Sequence, residues 1–180
     1  NVAIYGGFPS TNNPEFSDRN NIQNLTILSG GNTRRIFNND FINDIYIDNS
    51  AILDGFTLKD GSAIDGGAMK LVNASPTLSN LIFLSNTSIG SSNGGAIYCI
   101  ASSPKIEKCK FISNTSGMYG GAIINLSNST PIILNSLFTQ NSANKGGAIF
   151  AAQNSSYSLV NSTLYENTAQ SGGAAYHIGS

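Results

Sequence analysis

The chain has 180 residues, enough for one domain with a substantial core, and it carries a net charge of −1 with only 11% charged residues. Asn, Ser, Thr and Gly (24, 25, 11 and 19 residues) together occupy 79 positions, which disfavours a helical bundle. There is no basic run and no stretch of roughly 18 apolar residues, so neither nucleic acid nor direct membrane insertion is expected. Because the chain starts at Asn1 without a signal peptide, we interpret it as a mature or excised piece.

The first 46 residues contain two strand-like segments separated by a loop. Residues 2–5 and 25–28 are rich in β-branched and other apolar side chains, whereas residues 6–24 are rich in Gly, Asn and Pro. We predict that residues 1–46 form irregular N-terminal coils or a cap. Residues 47–180 are predicted to form a regular body, and residues 52–58 resemble its first repeat.

A Gly-Gly-Ala triplet recurs through the regular part, with steps of 28, 26, 26 and 26 residues. Its five copies begin at Gly66, Gly94, Gly120, Gly146 and Gly172. Between the triplets, a Phe or Leu stands three residues before an Asn, with steps of 28, 27 and 26. These pairs are Phe83 with Asn86, Phe111 with Asn114, Phe138 with Asn141, and Leu164 with Asn167. Two markers with one period indicate a repeat protein.

Each repeat contains three short runs with strand-like alternation, and none is long enough for a helix. Strands of this length can be closed into a coil whose turns stack about 4.8 Å apart and pair in parallel. The sequence therefore predicts an all-β fold, a parallel β-helix with three strands per rung of about 26 residues.

Residues one period apart are predicted to form continuous columns. Three columns are apolar and are expected to build the core, and a fourth consists of the marker asparagines, whose amides can bond from rung to rung. Asparagine also tolerates the left-handed backbone that a corner needs. The columns include Ile97, Ile123 and Ile149; Phe83, Phe111 and Phe138; and Asn86, Asn114, Asn141 and Asn167.

A further column lies four residues after the first glycine of each triplet. It consists of Lys70, Tyr98, Ile124, Phe150 and Tyr176. Because neighbouring strand residues point to opposite faces, we expect this column to face outward as an exposed apolar stripe. Such a stripe would suit a sugar or a protein partner. Alternatively, a flanking loop or a missing part of the protein covers it.

The residues that could support catalysis or metal binding do not converge in the sequence. Asp40, Asp44, Asp48, Asp54, Asp60 and Asp65 are spread over about one rung, which favours turn and surface roles over a calcium site. The single histidine, His177, has no placed partner for acid–base chemistry. We therefore predict no catalytic residue, no metal and no cofactor.

Three lysines and two cysteines occur close together in one rung. Lys105, Lys108 and Lys110 surround Glu107 and are interpreted as a solvated patch. Cys99 and Cys109 are expected to point inward as buried free thiols. A disulfide between them is the alternative, because export would permit one.

The pairing of Gly-Gly-Ala-Ile with Phe-x-x-Asn, as in residues 120–123 and 138–141, resembles the repeat of chlamydial polymorphic outer-membrane adhesins. It is equally similar to large secreted β-helix proteins of Bacteroidota and other bacteria, called choice-of-anchor proteins. Residues 4–8, 18–20 and 26–30 resemble the N-terminal part of that second group. The resemblance implies a right-handed β-helix, export to the cell surface, and an adhesive or scaffolding role.

The leading hypothesis is a non-enzymatic module of a secreted or cell-surface protein, acting as an adhesin or structural scaffold. Its partner would be a host or neighbouring-cell surface protein or glycan. The alternatives are a β-helical polysaccharide lyase or hydrolase, and a self-assembling extracellular filament subunit. Residues 172–180 begin a rung without completing it. We therefore expect more chain, a capping partner or a further copy at that open rung.

Overall fold

The chain forms a parallel β-solenoid in the computed structural model, which describes residues 2–11, 13–40 and 46–179. Asp44, one of the aspartates considered above, lies outside the described residues. Every recorded strand pairing is parallel, and the strands of one rung pair with those of the rungs before and after it. The predicted parallel β-helix is confirmed. No helix among the described residues is long and apolar enough to cross a membrane.

Four sheets run along the solenoid. The first rung contributes a strand to sheets A, B and C among the described residues, and each later rung contributes one short strand to all four sheets. Sheet A contains Ala3–Tyr5, Ile52–Asp54, Thr77–Ser79, Lys105–Glu107, Ile132–Leu134 and Ser158–Val160. Sheet B contains Thr26–Ser29, Phe56–Lys59, Ile82–Leu84, Lys110–Ile112, Leu137–Thr139 and Thr163–Tyr165. Sheet C contains Phe37–Asp40, Met69–Val72, Ile97–Ile100, Ile123–Leu126, Ile149–Ala151 and Ala175–His177. Sheet D contains Ser62–Ala63, Thr87–Ser88, Thr115–Ser116, Ser142–Lys145 and Thr168–Ser171.

Sheet D is formed by a fourth strand in each rung after the first. The sequence pattern predicted only three strands per rung and did not indicate this one. Its strands follow the marker asparagine directly and are two to four residues long. They consist mostly of Ser, Thr, Ala and Asn, so they lack the apolar alternation by which strands are recognised. Their pairing is fixed by the neighbouring rungs rather than by their own side chains.

Three strands before residue 41 build a rung of the same solenoid. Ala3–Tyr5, Thr26–Ser29 and Phe37–Asp40 pair in register with strands of sheets A, B and C, respectively. This rung differs from the later ones by the long loop between its first two strands, which contains the 3₁₀ helix Phe16–Asp18.

Arg19 fastens that loop to the body of the solenoid. Its guanidinium donates hydrogen bonds to the Gly6 carbonyl, at 2.7 Å, and to the carboxylate of Asp54, with which it forms an ion pair. Three aromatic rings lie 5.0 to 5.8 Å from the guanidinium, close enough for cation–π attraction. They are Tyr5, Phe8 and Phe16.

The core fills the inside of the solenoid with columns of equivalent side chains. Ile97 pairs with Ile123, and Ile123 pairs with Ile149, all without solvent exposure. The rings of Phe83, Phe111 and Phe138 stack with centroids 4.6 and 4.5 Å apart and planes 1° apart. That spacing equals the distance between neighbouring strands, so the sheet itself brings the rings to stacking distance.

Candidate binding face

The predicted outward stripe lies on the outer side of sheet C, where its members stand in register from rung to rung. The expectation that it is exposed is wrong for its middle members. Ile124, Phe150 and Tyr98 retain only 0%, 2% and 8% of their exposure, and Lys70 and Tyr176 are partly buried. The three buried side chains form a second apolar cluster outside the core, together with Ala152.

The segment that precedes the triplet at Gly120 folds over this stripe. The ring of Tyr119 stacks on Phe150 with centroids 4.6 Å apart, and Tyr176 continues the stack at 5.9 Å. The first glycines also lie against it, since a Cβ at Gly66 would lie 3.1 Å from the Cβ of Tyr98. The structure therefore supports the alternative given for this stripe, that a flanking loop covers it. Burial and the negative charge of Asp65 raise the pKa of Tyr98.

The aspartates take structural roles rather than meeting in one cluster. Asp54 pairs with Arg19, Asp40 with Lys70 at 2.7 Å, and Asp60 with Lys59 at 3.3 Å. Asp65 accepts hydrogen bonds from the backbone and side chain of Asn93, and Asp48 caps a turn at Ser50. Within the described residues, no three potential metal ligands lie together.

His177 and the two cysteines lie at very different depths. His177 is exposed on the last strand of sheet C. Cys99 and Cys109 are fully buried free thiols, as the favoured interpretation predicted. Burial raises the pKa of each thiol to about 12, so neither carries appreciable thiolate near neutral pH.

An apolar pocket of about 310 Å³ is lined by residues of the first three rungs. Val2, Ile4, Phe37 and Met69 are among its lining residues, and Asn39 supplies the only polar side chain among those described. This lining contains no ionisable group with which a polar substrate could be oriented or activated.

The outer side of sheet B is the apolar surface that the sequence interpretation missed. The Phe column points inward, so the residues immediately before and after each Phe point outward. We call this surface the aliphatic face. Its apolar members are Ile27, Ile82, Leu84, Ile112, Leu137 and Tyr165. All are at least partly exposed, Tyr165 by 59%, and none belongs to either apolar cluster.

A signal for the aliphatic face is present in the sequence. Residues that flank the marker Phe in a half-buried strand should be polar, yet they read Ile-Phe-Leu in one repeat and Leu-Phe-Thr in another. The sequence interpretation used only the central Phe of this apolar run, as a core residue. It overlooked that the apolar residues on either side of the Phe must then point outward.

Lys110 interrupts the aliphatic face in its central rung, and Lys108 lies at the adjoining corner between sheets A and B. Both lysines are exposed. Glu107 is engaged by Lys105 at 2.8 Å. That hydrogen bond lowers the pKa of Glu107, and the charges of Lys105 and Lys108 act in the same direction. In the part of the chain that the structure describes, neither Lys108 nor Lys110 forms an ion pair.

Two segments of the chain match a known repeat family. Residues 80–100 and 135–152 match the model of the Chlamydia polymorphic membrane protein repeat. Each match runs from a sheet B strand through the marker asparagine to the Gly-Gly-Ala triplet and the following sheet C strand. The rungs of this β-solenoid resemble chlamydial polymorphic membrane protein repeats. In comparisons with curated proteins and with solved structures, nothing matched the chain.

Proposed function

We propose that the chain is a non-enzymatic β-solenoid module of an exported surface protein, and that it acts as an adhesin. The observation that carries this proposal is the aliphatic face, which leaves large apolar side chains uncovered along one side of a rigid repeat body. The match of two rungs to a repeat of membrane proteins supports a surface location.

The arrangement of ionisable groups favours adhesion over hydrolysis or lyase chemistry. An acid and a base that act together must lie within hydrogen-bond reach of one substrate. The described aspartates are held by Arg19, Lys59, Lys70 and backbone groups, and Glu166 accepts a hydrogen bond from Gln140. Their negative charge is therefore engaged in holding the solenoid together.

Adhesion is tested by coupling the chain to beads in one orientation and counting the beads retained on mammalian epithelial cells or on bacterial cells. We expect retention well above that of beads bearing Ile123→Asp. That variant buries an unpaired charge and should not fold. Equal retention of both beads on every cell type would contradict the proposal.

Enzymatic activity is tested separately by incubating the chain with pectin, alginate and related polymers and measuring reducing ends and unsaturated products. We expect no product above the background of a mock-purified sample. Clear turnover, lost on substitution of an acidic residue, would replace the adhesin by a polysaccharide lyase or hydrolase.

A further inference from the structure

We propose that the aliphatic face, together with Lys108 and Lys110, is a docking site for an acidic protein segment that also carries apolar side chains. This inference rests on the proposed function and names the partner class of the same surface. Three observations support it: the regular apolar rows, the lysines among them that form no ion pair, and the poor fit of a second copy of the chain or of an anionic glycan.

The apolar rows have the regularity of a binding surface. Ile82, Lys110, Leu137 and Thr163 stand in register in one row, and Leu84, Ile112, Thr139 and Tyr165 stand in register in the next. Successive members of a row are one strand spacing apart, about 4.8 Å. The surface therefore presents side chains at a regular interval from rung to rung, against which the apolar side chains of a partner segment can pack.

Among the described residues, the two lysines at these rows form no close ion pair. Of the six lysines, Lys59, Lys70 and Lys105 have carboxylate partners, and Lys145 lies over the ring of Tyr176 at 5.3 Å. The two remaining lysines, at positions 108 and 110, lie together at the aliphatic face and form no recorded ion pair among the described residues. A partner that covers this face must therefore supply negative charge, because burying an unpaired ammonium costs several kcal/mol.

A second copy of the chain fits this charge poorly. Face-to-face pairing of two copies would bring four ammonium groups from Lys108 and Lys110 into one interface, and Glu166, the carboxylate beside Tyr165, is already engaged by Gln140 and Tyr165. Like charges across an interface cost several kcal/mol.

An anionic glycan fits the apolar rows poorly. Sugar rings bind best against flat aromatic side chains, whereas the face offers five branched aliphatic side chains and the single ring of Tyr165. Aliphatic side chains from an acidic polypeptide match such a surface better, since both sides lose apolar area to water.

The test is selection of a random 12-residue peptide library, displayed on phage, against the folded chain. We expect enrichment of peptides that combine Asp or Glu with Leu, Ile, Val or Phe. Synthetic versions should bind Lys110→Glu and Leu137→Ser about tenfold or more weakly than the wild type. Raising NaCl from about 50 to about 500 mM should weaken binding to the wild type, because exposed charges are screened.

Arg34→Glu is the matched control for the charge reversal. Arg34 is exposed in the turn between Thr26–Ser29 and Phe37–Asp40, and its replacement changes the net charge by the same amount. It should bind the selected peptides as the wild type does. If Lys110→Glu fails to fold by circular dichroism, Lys110→Gln removes the charge without adding another, and the same weakening is expected.

Four results would overturn the inference. They are enrichment of peptides without acidic residues, equal binding of Lys110→Glu and Arg34→Glu, retention on heparin without any enriched peptide, and sedimentation as a dimer that Leu137→Ser abolishes. The bead assay separates this failure from that of the proposed function. If beads bearing Lys110→Glu still adhere to cells, the chain is an adhesin but this face is not its docking site. If the wild-type beads do not adhere but the chain binds the selected peptides, the docking site is supported and the adhesin proposal is rejected.

Discussion

Each buried asparagine of the ladder bonds to both neighbouring rungs. The Oδ1 of Asn114 accepts hydrogen bonds from the backbone N–H and the Nδ2 of Asn86, at 3.0 and 2.9 Å. The Nδ2 of Asn114 in turn donates to the Phe83 carbonyl and to the Oδ1 of Asn141. The left-handed backbone expected at these asparagines is instead adopted by the residue before each of them, for example Ser113 at φ 53°. Asparagine is required here for its hydrogen bonds and not for its backbone freedom.

Asn114→Ala should therefore destabilise the solenoid far more than removal of an amide that is only partly buried, that of Asn144. It leaves the backbone N–H and the Nδ2 of Asn86 buried without their acceptor, at about 1–3 kcal/mol each. We expect the free energy of unfolding in urea to fall by roughly 3 kcal/mol. Asn144→Ala is the control, with an expected change within about 0.5 kcal/mol. Equal effects of the two variants would show that the ladder contributes nothing specific.

Asn125 is a buried asparagine outside the ladder. It has no exposure, and neither its Oδ1 nor its Nδ2 has a hydrogen-bond partner among the described residues. Its neighbours in the column are Cys99 and Ala151, and Leu71 lies one rung further, so the amide lies between a thiol and an apolar side chain. The fold tolerates this amide at a cost in stability.

Asn125→Leu should raise stability, because it replaces two unsatisfied polar atoms with a side chain that the same column accepts at Leu71. We expect the free energy of unfolding to increase by about 1–2 kcal/mol. Asn125→Ala should give a smaller gain because it leaves a void. A loss of stability in Asn125→Leu, measured by thermal denaturation, would mean that the amide is satisfied by water.

At the scale of the element, the Gly-Gly-Ala triplet combines two different requirements. The first glycine of each triplet has a positive φ, +65° at Gly120, a conformation that costs little only for glycine. The second, Gly121, has no such φ, but a Cβ there would collide with the Gly147 carbonyl of the next rung and with the backbone of Ser142. The triplet thus allows adjacent rungs to approach closely where sheet D leads into sheet C.

Gly121→Ala should prevent folding or destabilise the solenoid by about 4 kcal/mol or more, since backbone on two sides must move. The control is Gly90→Ala, where φ is +67° but a Cβ would meet nothing within 4 Å. Backbone strain alone should cost that variant about 1–2 kcal/mol. Circular dichroism melts compare the two variants, and similar melting temperatures would contradict the role given to close approach.

For the whole molecule, contacts between elements connect only neighbouring rungs, so stability should be nearly a sum of rung and interface terms. The side-chain columns are continuous only while the register is kept. Residues 120–145 span 26 positions and contain one strand of each sheet. Their removal would bring Ile97 against Ile149 and Asn114 against Asn167.

Deletion of residues 120–145 should therefore give a shorter solenoid that still folds, with a lower unfolding free energy. Deletion of residues 133–145, half as long, should abolish folding because it puts inward and outward residues into the same columns. Far-ultraviolet circular dichroism and size-exclusion chromatography distinguish these outcomes. A folded short-deletion variant, or an unfolded long-deletion variant, would contradict the one-rung-per-period architecture.

The repeat in the sequence was sufficient to predict the parallel solenoid and the inward columns. A fixed period brings equivalent residues of successive rungs into contact. The period alone therefore predicts that Ile97, Ile123 and Ile149 stack, and that the three phenylalanines stack. The tertiary structure alone decided which outward surface is covered. Tyr119 folds over the stripe at Ile124 and Phe150, while the residues flanking each Phe on sheet B stay uncovered. Cover depends on loops of irregular sequence, whose path is set by packing and not by the period.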